Sequence, residues 1–173
     1  MSRWIIRQKG VTQLEFTLIA LAVLLVIFSI IEFALYFYSI QMANEVTRRA
    51  ARLATVCYIA DRDDIKSLPA VEGLYPPGFT ADDLKISYLD ANGNEVNVDA
   101  FFSESPNIDT LNSIFSTIRY VKAEASYTFK FLVLSLLINA TGASPEFKTI
   151  LPAESLGILR PEGELPVREN CGE

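Results

Sequence analysis

An uninterrupted apolar run near the N-terminus constrains this chain more than any other feature. From Val11 to Ile31 the only charged residue is Glu15. A helix of this length, at about 1.5 Å per residue, extends about 31 Å, which matches the hydrocarbon core of a bilayer. The run therefore predicts one transmembrane helix over residues 11–31.

The two flanks of the run indicate its orientation. Residues 1–10 (MSRWIIRQKG) carry three basic residues and no acidic one. Because positive flanks remain in the cytoplasm, this leader is expected to be cytoplasmic and the chain beyond residue 32 to lie in the periplasm. Glu32 would sit at the far interface, followed by an aromatic band. The band comprises Phe33, Tyr36, Phe37 and Tyr38.

Glu15 is hard to explain in a simple anchor, because a carboxylate within a hydrocarbon segment costs about 2.5 to 3.5 kcal/mol. A cut after Gly10 would give Val11 a charged amine and place Glu15 at position five of the new chain. The two charges would then lie one helical turn apart, and each could also pair with the opposite charge of a neighbouring subunit. An uncleaved anchor carrying a periplasmic module explains the apolar run, but not Gly10 and Glu15 together.

A basic leader, Gly10, the sequence VTQLE ending at Glu15 and an apolar helix together resemble the processing site of type IV prepilins and pseudopilins. The continuation from Ile30 to Cys57, IIEFALYFYSIQMANEVTRRAARLATVC, resembles the TadE-like minor pseudopilins of the tight-adherence (Flp, type IVb) pilus. The resemblance implies cleavage between Gly10 and Val11 by a prepilin peptidase, with Glu15 as the assembly glutamate. It also implies a pilin-like fold.

The resemblance further implies partners and a location. The partners would be the prepilin peptidase, the major pilin and other minor pseudopilins, an inner-membrane assembly platform, and membrane lipid before assembly. The subunit would begin as a single-pass protein of the bacterial inner membrane and then join or prime a pilus at the cell surface for adhesion. The alternative is an uncleaved, signal-anchored periplasmic module that acts as an accessory protein in pilus assembly or secretion.

The remaining chain is expected to form a small α+β head over residues 61–173. An amphipathic stripe continues the N-terminal helix, giving a helix over residues 11–60. Alternating residues at 84–89 and 95–98, joined by Asn92-Gly93, predict a hairpin with a type I′ turn. The overall prediction is α+β, with a long helix followed by an antiparallel sheet.

Three further elements are predicted in the head. Asp109 is expected to cap a short helix over Thr110–Thr117. Strict alternation of apolar and polar residues predicts one strand from Val121 to Phe131. One or two more strands are expected between residues 147 and 159, with Pro152 at an edge or a bend.

The two cysteines, Cys57 and Cys171, fit no metal-binding or redox spacing. A disulfide between them would close a large loop in the oxidising periplasm and stabilise the fold by up to about 4 to 5 kcal/mol on the chain-entropy model. Two separate thiols, with Cys57 buried and Cys171 free, are the alternative.

Composition argues against catalysis and nucleic-acid binding. The chain has no histidine, the commonest general base and metal ligand, and its net charge is −6. The acidic cluster of Asp61, Asp63 and Asp64 lacks the glycine and distal glutamate of an EF-hand loop. We therefore expect no enzymatic activity, no cofactor, no metal and no nucleic-acid partner.

Overall fold

The computed structural model describes residues 11–103, 107–137, 141–143, 146–159, 167–168 and 171. Helix α1 spans Val11–Val56 and is followed by three short helices, α2 (Pro69–Glu72), α3 (Ile108–Thr117) and α4 (Leu134–Leu137). The strands are β1 (Leu84–Leu89), β2 (Tyr120–Ala125), β3 (Thr128–Lys130), β4 (Thr141–Ala143), β5 (Phe147–Pro152), β6 (Ile158–Leu159) and β7 (Val167–Arg168). A long apolar helix followed by a small antiparallel sheet confirms the predicted α+β class.

The chain divides into two compact units. The anchor unit combines residues 1–38 with residues 130–142, and the head unit combines residues 39–129 with residues 143–173. The division falls within α1, so the C-terminal part of this helix belongs to the same compact unit as the sheet. The sequence predicts a boundary at residue 61, which would place the whole of the long helix outside the head.

The main sheet of the head unit has three antiparallel strands in the order β1-β2-β5. Its register places large side chains of β1 opposite small ones of β2, with Leu84 facing Ala125 and Ile86 facing Ala123. β5 lies at an edge and ends at Pro152, where a residue without a backbone N–H is tolerated. This position agrees with the expectation for Pro152.

The C-terminal part of α1 supplies one side of the head's hydrophobic core. Its buried positions recur at spacings of three and four residues and have small or medium side chains. They include Ala43, Val46, Ala50 and Ala54, all fully buried, and Cys57, which directly follows the helix, is fully buried as well. Thr47 on the same helix contacts Thr149 of β5, with 3.2 Å between the two hydroxyl oxygens. Because these side chains are small, the helix can pack closely against the sheet.

α1 ends at Val56, four residues before the predicted end. The loop after β5 provides partners for carbonyls at the end of the helix: the N–H of Leu156 donates to Thr55 O (3.0 Å) and the hydroxyl of Ser155 to Val56 O (3.5 Å). Tyr58 is extended, with φ −64° and ψ 142°, and a short 3₁₀ helix follows at Ile59–Arg62. The helix therefore ends where a distant loop satisfies its terminal carbonyls.

The predicted hairpin is wrong in its second strand and in its turn type. β1 pairs along its whole length with β2, whereas residues 95–98 form no strand: on the other edge of β1, Glu95 makes an isolated bridge with Leu89 and the N–H of Val96 donates to Tyr88 O at 2.8 Å. Gly93 has φ +85° but Asn92 does not have positive φ, whereas a type I′ turn requires it at both positions. Instead, the Asp90 carboxylate accepts the N–H groups of Asn92 (2.8 Å) and Asn94 (2.9 Å) and so holds the turn.

Two further predictions in the head need correction. α3 begins at Ile108 and its cap is Asn107, whose side chain accepts the N–H of Asp109 at 2.9 Å. Asp109 therefore lies in the first turn, where its negative charge interacts favourably with the positive end of the helix dipole. The strand predicted over Val121–Phe131 is broken after Ala125, because β1 begins opposite that residue and no ladder partner in β1 continues beyond it.

The predicted disulfide between Cys57 and Cys171 is confirmed. It joins the residue that follows α1 to one 114 positions away, with 5.5 Å between the two Cα atoms. The backbone N–H of Cys171 also donates to a carboxylate oxygen of Asp61 at 3.2 Å. The end of α1 is thus covalently tied to the C-terminal region of the head unit.

Candidate membrane and assembly helix

The N-terminal part of α1 exposes apolar side chains around its whole circumference. Its exposed large residues are Leu14, Phe16, Leu18, Ile19, Leu21, Val23, Leu24, Val26, Ile27, Phe28, Ile30 and Ile31. Consecutive positions in this set point in different directions, so no single stripe accounts for them. A helix that is apolar on every side needs a membrane or a protein bundle around it.

Length and hydropathy agree with a membrane span. Within the described residues, α1 is the one helix long and apolar enough to cross a bilayer, with a mean hydropathy of 2.9 over its most apolar 18 residues and 6% of that window buried. We conclude that this helix anchors the chain in a membrane.

The predicted cleavage and assembly residues lie at the start of this helix. Val11 is its first residue, and Gly10 lies outside the described residues. Glu15 is exposed one turn further along and has no ion pair with any residue that the structure describes. The spacing that would bring a Val11 amine close to Glu15 is therefore present in the helix, while the Glu15 carboxylate has no charged partner among the described residues.

Glu32, the carboxylate that directly follows the apolar segment, is hydrogen-bonded within the anchor unit. It is only 7% exposed. One of its oxygens accepts the N–H groups of Leu132 and Val133, both at 2.5 Å, and the other accepts the N–H of Leu134 at 3.0 Å. We call this arrangement the Glu32 clasp. Three N–H donors offset the cost of removing a carboxylate from water.

Aromatic contacts reinforce the clasp. The ring of Phe131 lies 5.9 Å from that of Phe33 in an edge-on arrangement and 5.5 Å from that of Tyr36, measured between centroids. Such pairs contribute about 0.5–1.5 kcal/mol each beyond their buried area. Part of the aromatic band predicted after Glu32 thus holds residue 131 against α1. Phe37 and Tyr38 remain more than half exposed.

Sequence reasoning missed this contact between Glu32 and residues 132–134. By itself, the apolar stretch that follows residue 130 indicates either core or a surface covered by a neighbour, because it is too short to cross a membrane. Two signals pointed to it: a carboxylate at the end of an apolar run, and a second apolar run too short to cross a membrane. Neither signal specifies the other as its partner, because one hundred residues separate them along the chain.

The acidic cluster after α1 has structural partners. Although partial burial alone would raise it, the pKa of the Asp63 carboxyl is held below its ordinary value by Arg62 and Lys66, at 3.1 and 3.3 Å. Asp61 accepts the N–H of Cys171, as described above. Across the described part of the chain, no group of three or more acidic, cysteine or histidine residues is arranged to hold a metal.

A helix that is apolar on every side, followed by a small disulfide-linked α+β unit, defines a membrane-anchored protein. Residues 10–52 match the family model described as TadE-like protein, which confirms the resemblance to a family associated with the tight-adherence pilus. The match covers most of α1 and stops before the sheet. No curated protein and no solved structure matches this chain.

Proposed function

We propose that this chain is a minor pilin-like subunit of a tight-adherence (type IVb) pilus and acts as an assembly part, without catalytic activity. The observation that carries the proposal is the contrast between Glu15, within the apolar segment, and Glu32, directly after it. Glu32 accepts three hydrogen bonds from its own chain, whereas Glu15 is exposed and has no ion pair among the described residues. A carboxylate left without a partner in an apolar helix is suited to a partner on another chain.

Cleavage after Gly10 by a prepilin peptidase would create that partner. The new Val11 amine carries a positive charge and lies one turn from Glu15 in its own helix. In a bundle of such helices, the amine of one subunit can pair with Glu15 of the next. Pairing in a low-dielectric environment neutralises both charges and specifies the axial register of neighbouring subunits.

The exposed apolar helix determines what assembly requires. In water, burial of apolar surface stabilises a bundle by about 25 cal/mol per Å². In a membrane this driving force is absent, because lipid chains are equally apolar. Extraction of the helix into a pilus therefore requires coupling to an assembly platform in the inner membrane. The major pilin and other minor pseudopilins would provide the surrounding helices.

The disulfide supports a periplasmic location for the head. Bonds between cysteines persist in oxidising compartments and are rare in the cytosol. A head beyond the far end of the membrane helix, with a cytoplasmic leader at residues 1–10, places Cys57 and Cys171 in such a compartment. From there the subunit would join or prime the pilus at the cell surface.

The processing step predicts a change in mass. Co-expression with a prepilin peptidase should remove residues 1–10, and Gly10→Ala should abolish this loss if the peptidase accepts only a residue without a side chain before the cut. Intact mass spectrometry of protein from bacterial membranes measures both outcomes. Gln8→Ala is the control, since it changes the leader but keeps its charges and Gly10. A full-length mass with and without the peptidase would favour the uncleaved, signal-anchored module.

The assembly step predicts a separate effect of Glu15. We expect Glu15→Ala to be processed normally but to enter sheared pili at least about tenfold less, because loss of one partner from a buried ion pair commonly costs more than 1.4 kcal/mol. Gln13→Ala, an exposed polar residue in the same region of the helix, is the matched control. Equal incorporation of the two variants would contradict a pairing role for Glu15.

A further inference from the structure

We propose that residues 131–137 form an apolar loop that inserts into the outer part of the bilayer beside α1, and that the Glu32 clasp holds it there. The proposal concerns the membrane-anchored protein and does not depend on processing at Gly10. It assigns a second contact with lipid to a chain whose only membrane-spanning candidate in the described residues is α1.

Position along α1 places the clasp at the membrane boundary. The apolar run from Val11 to Ile31 extends about 31 Å as a helix, the thickness of the hydrocarbon core, and Glu32 is the next residue. The loop bound to Glu32 is therefore held at the end of the apolar span. Contacts of Phe131 with Phe33 and Tyr36 fix the start of the loop at the same level.

Composition and exposure of the loop fit lipid as its neighbour. Its sequence is FLVLSLL, with one polar side chain, Ser135. Leu132 is 78% exposed, the highest value among the exposed large apolar residues described. Isolated apolar residues are common on protein surfaces, but here the exposed leucine lies in an apolar segment that continues the apolar surface of a membrane helix.

Hydrogen bonding lowers the cost of placing residues 131–137, an irregular stretch followed by the short helix α4, at the edge of a membrane. Unpaired N–H and C=O groups cost several kcal/mol in hydrocarbon, so irregular backbone is tolerated there only when its polar groups are satisfied. The clasp satisfies the N–H groups of residues 132–134 with one carboxylate. The hydroxyl of Ser135 donates to Leu132 O at 2.9 Å, so the polar side chain of the loop is also paired.

Charge gives the clasp a second role. A bare carboxylate at the bilayer boundary would pull this part of α1 toward water. With three N–H donors around it, Glu32 can remain at the level of the apolar loop. The same three hydrogen bonds therefore stabilise both the carboxylate and the backbone N–H groups of the loop at the membrane boundary.

Quenching of tryptophan fluorescence by brominated lipid tests the proposal on the full-length chain. Trp4, the one tryptophan, is replaced by Phe, and the protein is reconstituted in two sets of phosphatidylcholine vesicles, whose acyl chains carry bromine either near the headgroup, at the depth expected for position 132, or near the chain end, at the depth expected for position 21. Leu132→Trp reports on the loop. Leu21→Trp, on the exposed helix, is the positive control, and Phe102→Trp, exposed in the head unit, is the control expected to remain in water.

We expect the emission of Leu132→Trp to fall with brominated lipid by an amount comparable to that of Leu21→Trp, and that of Phe102→Trp to stay unchanged. When Glu32→Ala is combined with Leu132→Trp, quenching should fall to the level of Phe102→Trp. When it is combined with Leu21→Trp, quenching should not change. Quenching at position 21 without quenching at 132 would overturn the proposal, leave the anchor intact and indicate that a neighbouring protein covers the loop. Unchanged quenching at 132 in Glu32→Ala would overturn the role of the clasp.

Discussion

Gly157→Ala is expected to destabilise the head unit by about 2–5 kcal/mol, because alanine there meets both a conformational and a steric cost. Gly157 has φ +74°, in the left-handed region that favours glycine. A Cβ at this position would overlap the backbone N and Cα of Tyr58 and lie 2.7 Å from its Cβ. The neighbouring atoms belong to the backbone just after α1 and to a buried side chain, so they have little freedom to move.

Gly93→Ala is the matched control for this prediction. Gly93 also has positive φ, +85°, but nothing lies within 4 Å of the Cβ position. It should therefore show only the conformational cost, about 1–2 kcal/mol. Urea unfolding of the full-length protein in detergent, followed by near-ultraviolet circular dichroism of the tyrosines, compares the two variants. Equal losses would mean that the close approach of Gly157 to Tyr58 does not contribute to stability.

Loss of the disulfide is expected to have an effect of similar size. Cys171→Ala removes the cross-link and leaves the fully buried Cys57 in place. Cross-linking two residues 114 positions apart restricts the unfolded chain, and its loss should lower the free energy of unfolding by about 2–5 kcal/mol. The same urea titration in detergent measures this change.

Reductant supplies the control for the second prediction. Wild-type protein treated with a thiol reductant should unfold at the same urea concentration as Cys171→Ala, and the variant itself should not respond to reductant. Wild-type protein whose disulfide has been reduced but whose unfolding midpoint is unchanged would show that the bond adds nothing to stability. In that case hydrophobic packing around Cys57 alone would hold the end of α1.

Much of the architecture could be predicted from local patterns. The apolar run starting at Val11 predicted α1, because a helix that long and that apolar has few alternatives. Alternation predicted the buried face of β2, where Val121, Ala123 and Ala125 are all fully buried. The charge of Glu15 in an apolar context indicated that this residue needs a partner, and the role of assembly glutamate, which the resemblance implies, stays a prediction.

Errors arose where a distant segment decided the local structure. Residues 95–98 have the alternation of a strand, but the full ladder of β1 is with the distant β2. After the turn held by the Asp90 carboxylate, only Glu95 and Val96 return to β1. Both Asn107 and Asp109 can cap a helix, so the sequence did not distinguish them. For the candidate site, the sequence identified Glu32 as an interfacial residue but not the loop that binds it.

By itself the sequence determined the membrane helix, the α+β class and the TadE-like segment, because these depend on properties of consecutive residues such as hydropathy, charge and periodicity. Only the tertiary structure decided where α1 ends, whether Cys57 and Cys171 form a disulfide, and which groups bind Glu32. Each of these depends on a contact between residues about one hundred positions apart: Leu156 with Thr55, Cys171 with Cys57, and Leu132 with Glu32. Such contacts are selected by packing of the whole chain, and a local pattern does not specify which distant residue will be the partner.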